Sequence, residues 1–194
     1  MPPDSSRVVK PEGMLTSKPF GVFDPANPRR IPGLLAANVL TTPLDIHAPA
    51  DLVWKILVDF DRYPEWNPLN RFFYLDTRAA AGETVTFGPR WGPYDSKALG
   101  KAAFTQRETL TVWEENCCLA YAAMSPWLNA ERVQYIARVA ADRSRYYTYE
   151  RTSGILAPVV RRFYGRRIID GFTANGLALK QRAEAAYAGT ARMQ

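Results

Sequence analysis

The chain has 194 residues, 47% of them hydrophobic and 23% charged, with 25 Lys and Arg against 19 Asp and Glu for a formal net charge of +6. These values predict one globular domain around one core, and no stretch approaches the ~18 to 20 uninterrupted apolar residues that a membrane helix requires. The excess charge sits at the ends: residues 1–33 hold five basic and three acidic groups, residues 155–194 hold seven and two, and the middle is near neutral. A nucleic-acid-binding face would instead spread Lys and Arg among aromatics, so no nucleic-acid partner is expected.

The N-terminus, MPPDSSRVVKPEGMLTSKPF, lacks the apolar run of a signal peptide, and a cytoplasmic location is the expectation. Residues 1–33 are Pro-rich with little periodicity and read as an extended or disordered arm, dispensable for folding; the domain is expected over 34–190. From Leu34, VLTTPLDIHA alternates as a strand, with Leu40, Thr42, Leu44 and Ile46 on one face and Pro43 marking an edge or bulge. In APADLVWKILVDF the residues Val53, Trp54, Ile56, Leu57 and Phe60 fall at helical spacing, and DRYPEWNP breaks that helix at Pro64, so two short helices follow.

Short runs of strand composition then occupy 70–76, 83–88, 103–113, 117–123, 132–140 and 145–152. The connections are too short for parallel crossovers, which predicts an antiparallel meander. From Leu156 to about Tyr187, Val160, Phe163, Tyr164, Ile168, Phe172, Leu179 and Ala183 recur at helical intervals as one long amphipathic helix. Gly165, Gly171 and Gly176 inside it each cost about 1 kcal/mol relative to Ala, so either the helix bends or something approaches its backbone closely.

Cys117 and Cys118 are adjacent and are the only cysteines, which leaves no long-range disulfide and no metal-ligand spacing. With one histidine, His47, on the outward set of the first strand, no metal site is expected; a Gly-rich phosphate loop and a nucleophile elbow are also missing. The cluster RRFYGRR at 161–167 reads as a solvated helix flank rather than a phosphate site, and Trp66 as a packing residue of the short helices.

The order of these elements resembles the SRPBCC superfamily, also called START-like or pollen-allergen-like, in its polyketide cyclase/dehydratase-like branch. APADLVWKILVDFDRYPEWNP at 48–68 is similar to that family's entrance motif, and ERTSGILAP at 150–158 with GFTANGLALKQRAEA at 171–185 to its exit motif. The resemblance implies an α+β helix-grip fold: a curved antiparallel sheet of six to seven strands, two short helices, and a long C-terminal helix over an apolar pocket. It implies a small hydrophobic ligand and no cofactor, but no single reaction. Where related sequences often carry Gly-Glu-His ahead of the sixth strand, this chain has Ala130, Glu131 and Arg132.

Facing can be read from alternation. On 132–140 the odd set Val133, Tyr135, Ala137 and Val139 is the apolar one and is expected inward; on 145–152 the even set Tyr146, Thr148 and Glu150 is the less charged. A hairpin centred on Asp142-Arg143 would set Tyr135 opposite Glu150, Ala137 opposite Thr148 and Val139 opposite Tyr146, in agreement with both choices. A turn at Glu115-Asn116 sets Val112 opposite Leu119, Leu110 opposite Tyr121 and Glu108 opposite Ala123, which brings Glu108 inward as well. Glu150, Tyr135 and Glu108 are therefore the candidate acid/base residues, since desolvation raises a carboxyl pKa toward neutrality. A structural ion pair is the bland alternative for Glu150.

Candidate ligand contacts are Tyr121, Tyr146, Thr148 and Phe172, with Arg90, Trp91, Tyr94 and Trp127 in loops that this architecture places at the pocket mouth. The expected function is binding of a polyketide, terpenoid or lipid-like molecule and its cofactor-free cyclisation, dehydration or isomerisation in secondary metabolism. The alternative is a non-catalytic carrier of a lipid, quinone or aromatic metabolite. A homodimer is compatible with either, and membrane insertion with neither.

Overall fold

A computed structural model describes residues 15–17, 20–27, 38–90, 92, 94 and 102–191. Leu15–Ser17 (β1) and Gly21–Phe23 (β2) form a small antiparallel hairpin. Val39–Leu40 (β3) and Leu44–Ile46 (β4) follow as two pieces of one edge strand, both paired with the last strand of the sheet. The break falls at Thr41–Pro43, because proline has no N–H for the ladder. The alternation expected across it does not hold: Val39 and Ile46 are buried while Leu40 is half exposed.

Ala50–Val58 (α1) buries Val53, Trp54 and Leu57, and a 3-10 turn leads into Tyr63–Trp66 (α2), the two short helices expected. The meander is Asn70–Leu75 (β5), Thr84–Pro89 (β6), Gln106–Glu114 (β7), Cys118–Met124 (β8), Asn129–Ala140 (β9) and Arg143–Ser153 (β10). With β3 and β4 it makes an eight-stranded antiparallel sheet in the order β3-β10-β9-β8-β7-β6-β5, β4 also pairing β10. Ala157–Ala191 (α3) closes the chain as a single helix of 35 residues, about 52 Å long. Its buried residues Ile168, Phe172, Asn175, Leu179 and Ala183 form one stripe against the sheet. This is the helix-grip arrangement. No helix among the described residues is long and apolar enough to cross a membrane.

Two of the four glycines of α3 have close neighbours. A Cβ on Gly171 would stand 2.8 Å from the Tyr94 hydroxyl and 2.9 Å from Leu69, and one on Gly176 would stand 2.8 Å from Leu44; Gly165 faces no such contact.

The sheet is buried on both faces. On the concave face, Val53, Trp54, Leu57, Phe73, Val85, Leu110, Leu119, Ile136, Tyr146 and Leu179 make the main core. On the convex face, Val112, Cys118, Val133, Tyr135 and Tyr149 pack against Phe23 of the N-terminal hairpin. Beneath that hairpin Glu131 and Arg151, both almost fully buried, form an ion pair. The hydroxyls of Ser17 and Thr111 donate to one Glu131 oxygen, and Arg151 Nε and Nη2 donate to the other. The rings of Phe20 and Phe23 lie 5.1 and 4.1 Å from the Arg151 guanidinium carbon.

Two expectations are corrected here. The hairpin within residues 15–23 and its packing differ from the extended or disordered arm read from the sequence: few in number, its apolar side chains are nevertheless placed on sheet positions that would otherwise face water. The β9–β10 register also differs. Arg143 pairs with Ala140, two residues from the expected ladder, and a bulge between Arg143 and Ser144 adds a third, so Glu150 pairs with Arg132, Thr148 with Gln134 and Tyr146 with Ile136. The offset from the expected partners is three residues, an odd number, so β9 is turned over and its even positions face the concave side.

Because the hairpin covers buried aromatic surface and a buried ion pair, its removal should be costly. Phe23→Ala is expected to lose about 3 to 5 kcal/mol in denaturant unfolding, as buried Phe truncations do. Deleting residues 1–27 should lower the melting temperature by more than a few degrees. A deletion that melts with the intact chain would show that the hairpin is not packed in solution.

Candidate functional site

One rung across the sheet carries most of the polar chemistry. Leu110 on β7 pairs with Tyr121 on β8, Tyr121 with Arg132 on β9, Arg132 with Glu150 on β10, and Glu150 with Val39 on β3. Directly opposed side chains on neighbouring strands have Cβ atoms about 4.5 to 5.5 Å apart, so Tyr121, Arg132 and Glu150 stand in a row on the concave face. Glu108 lies two residues along β7 from Leu110, on the same face, opposite Val85 of β6.

Above this row, and under α3, is a cavity of about 320 Å³. Leu69, Phe87, Val160, Ile168 and Phe172 supply its apolar walls; Glu108, Tyr121, Arg132 and Glu150 supply its floor; Arg90, Tyr94, Tyr164 and Arg167 also line it. Tyr94 is fixed by donating its hydroxyl to the Arg90 carbonyl oxygen at 3.0 Å, and it lies against Gly171, where any larger residue would collide with it.

Arg132 is 5% exposed. Its Nη1 donates to the Tyr121 hydroxyl at 3.1 Å, its Nη2 donates to Asn175 Oδ1 at 2.6 Å, and its guanidinium carbon lies 4.3 Å from the centre of the Phe172 ring. Asn175 and Phe172 are three apart on α3, so one helix turn holds both against the arginine. Glu108 accepts a hydrogen bond from Gln106 Nε2.

Burial dominates the titration of both carboxyls. It pushes Glu150 up to about 7, against the pull of the Arg132 cation. Glu108 is raised to about 8, first by burial and then by the neighbouring Glu150, while Arg132 and the bond from Gln106 act in the opposite sense. The Tyr121 phenol is raised as well, chiefly by burial. Near neutral pH the cavity thus holds one carboxyl that is mainly protonated beside one that is about half ionised, a combination able to give and take protons.

Six residues expected at the pocket line this cavity: Glu108, Glu150, Tyr121, Phe172, Arg90 and Tyr94. Tyr146 and Thr148 share the concave face but lie outside the lining. Tyr146 donates to Gln134 Oε1 at 2.8 Å within the core, and burial raises its phenol to about 12. The Thr148 backbone carbonyl accepts from the Thr41 hydroxyl across the break in the edge strand. Tyr135 is on the opposite face, packed with Phe23 and tilted against Tyr147, so it cannot act with Glu150 on one ligand atom. Trp127 is 60% exposed and is not in the lining; its carbonyl oxygen closes over Gly154, which sits at φ +107. Trp91 lies outside the described residues. Among the other candidates, Trp66 packs against Tyr63, and the His47 backbone N–H donates to Glu184 at 2.9 Å.

Sequence reasoning missed Arg132 and Asn175. Arg132 belongs to the even set of β9, whose polar composition read as outward. Asn175 carried a usable signal, a polar residue on an apolar helical stripe between Phe172 and Leu179. Among the described residues no group of three His, Cys, Asp or Glu is placed to hold a metal ion.

No protein-family model and no curated protein matches the chain. Solved structures do. The Zhui aromatase/cyclase from Streptomyces sp. R1128 superposes with a TM-score of 0.59 at 15% identity, over 77% of this chain and 94% of that one. A START superfamily protein from Mycobacterium smegmatis gives 0.54 at 16%, over 78% and 98%. Norcoclaurine synthase from Thalictrum flavum gives 0.55 at 8%, over 76% and 92%. These likenesses show that the chain shares the helix-grip fold of these proteins.

The raised carboxyls make stability depend on pH in a definite direction. A carboxyl whose folded pKa lies above its ordinary value of 4.5 keeps a proton that the unfolded chain releases, so unfolding gains ground as pH rises from about 4.5 through 7 and 8. The melting temperature is therefore expected to fall between pH 5 and pH 8. The double variant Glu108→Gln/Glu150→Gln should lose most of that slope, as seen by calorimetry at matched ionic strength. An unchanged slope would place both carboxyls in water.

Proposed function

We propose that the protein binds a small hydrophobic molecule of polyketide, terpenoid or lipid-like character and carries out cofactor-free acid/base chemistry on it, as part of secondary metabolism. The observation that supports this best is the pair of carboxyls, Glu108 and Glu150, raised toward neutrality in one largely apolar cavity beside a buried guanidinium. A pocket built only to carry an apolar molecule gains nothing from two desolvated carboxyls, each of which costs stability.

The reaction class is proton abstraction next to a carbonyl followed by loss of water, as in a cyclisation with dehydration. Glu150, as carboxylate, takes the proton from carbon. Negative charge then develops on the carbonyl oxygen and is stabilised by Arg132 and by the Tyr121 hydroxyl. Glu108, as neutral acid, gives its proton to the departing hydroxyl, which leaves as water. Exchange of a proton from Glu150 to Glu108 through solvent restores both groups. The apolar walls contribute by holding a flexible substrate in a reactive shape and by excluding bulk water.

Native mass spectrometry of protein purified from its own source would identify a retained molecule, whose conversion can then be followed. Glu150→Gln keeps the shape and removes the base, so turnover is expected to fall about 100-fold or more while affinity changes little. Glu108→Gln should lower turnover in the same way. If wild-type protein returns the molecule unchanged and Glu150→Gln alters affinity alone, the protein is a carrier and the catalytic reading is wrong.

A further inference from the structure

The sheet contains two buried arginines that are treated in opposite ways. Arg151, 2% exposed on the convex face, is closed off: Nε and Nη2 both reach the Glu131 carboxylate. Arg132, 5% exposed on the concave face, donates to the neutral Tyr121 hydroxyl and Asn175 amide oxygen and lies over the Phe172 ring, while the Glu108 and Glu150 carboxyls feel its charge without closing on it. Among the described residues no carboxylate forms an ion pair with it. Burying a guanidinium costs several kcal/mol, and neutral partners return only part of that. The protein solves this problem with a carboxylate on one face of the sheet and leaves it open on the face that lines the cavity.

Unused donors accompany the unmatched charge. Among the described residues Arg132 Nε has no hydrogen-bond partner, and neither does Asn175 Nδ2, although both are buried and the two side chains are hydrogen-bonded to each other. Buried polar groups are nearly always satisfied, and an orphaned donor on Arg132, which lines the cavity as Asn175 does not, calls for an acceptor there. The surrounding walls, Leu69, Phe87, Ile168 and Phe172, suit a flat apolar body.

We infer that the floor of the cavity recognises an acidic oxygen, such as an enolate, phenolate or carboxylate, carried on a planar hydrophobic ligand, with Arg132 as the cation and Asn175 as its positioning partner. This deepens the proposed function by naming the ligand's polar end. It rests on the cavity being the ligand site and not on the acid/base steps. The two carboxyls are compatible with such a ligand on the acidic side of neutrality, where both are mainly protonated and able to donate. Exposed Arg167 adds positive charge at the opening.

The test is a matched pair of probes, 2-naphthoate and its neutral analogue 2-naphthamide, titrated calorimetrically at pH 6. In wild-type protein naphthoate should bind at least about tenfold more tightly, the usual worth of charged over neutral hydrogen bonding. Arg132→Met should abolish that preference, lowering naphthoate affinity at least about tenfold more than naphthamide affinity. Asn175→Asp supplies the missing carboxylate from the protein itself with almost no change of shape, and should abolish it too; this second variant covers the case in which Arg132→Met fails to fold. Equal affinity of the two probes in wild-type protein, no measurable binding of naphthoate, or a preference that survives either variant would overturn the inference. A charge preference without turnover would leave it standing and remove the catalytic reading, whereas turnover without a charge preference would do the reverse.

Discussion

The pairing of β9 with β10 determines what the cavity contains, because strand side chains alternate between faces and any odd shift exchanges the two sets. The bulge between Arg143 and Ser144 sets that pairing. Through it, consecutive residues of β9 are sent to opposite sides of the sheet: Glu131 goes to the convex face, where it meets Arg151, and Arg132 to the concave face, where it meets Tyr121, Asn175 and Phe172. An ion pair that holds an N-terminal hairpin in place and a cation that faces a ligand cavity are thus products of one registration. Neither could be moved without moving the other.

On the concave face the local rules of a stable core are broken at a few positions and kept everywhere else. Phe73, Val85, Leu110, Leu119, Tyr146 and Leu179 belong to one densely packed core cluster outside the cavity lining. Against that background Glu108, Glu150 and Arg132 are desolvated, and burial is the largest influence on each of the two carboxyls. A rigid surround is what allows such groups to stay in place at a cost in stability, and sites that violate the rules of packing are where function concentrates. The convex face shows the contrasting case, charges of both signs brought together and closed by hydroxyl donors.

Much of this architecture was legible in the order and period of the sequence. The six strands of the meander, the two short helices broken at Pro64, and the long terminal helix lie close to where alternation, helical spacing and proline placed them. The facing of β10 and the pairing of Leu110 with Tyr121 were also readable, which puts Glu150 and Glu108 on the concave face, where both line the cavity. Tyr135 was misplaced for a specific reason. On β9 alternation predicts the apolar set inward, a rule that holds when one face of a sheet meets water. Here the apolar set meets the hairpin on the convex side, while the even set faces the concave core and, through Arg132, the cavity, which inverts the rule. Bulges, at Arg143 on β10 and between Leu110 and Val112 on β7, leave no mark in composition; the second moves Leu119 from Val112 to Trp113.

The glycines of α3 give the cavity a fixed height. At Gly171 and Gly176, five residues apart, the helix rests on Leu69 and Tyr94 at one point and on Leu44 and Tyr146 at the other, like a beam on two supports. Between these supports hang Phe172 and Asn175, the two side chains that touch Arg132. A methyl group at either point would act as a shim, tilting the beam by a distance comparable to the slack in a 2.6 Å hydrogen bond. The clearance between helix and sheet is therefore set by atoms that are missing rather than present, and the grip of the helix on the buried arginine is only as exact as those two gaps.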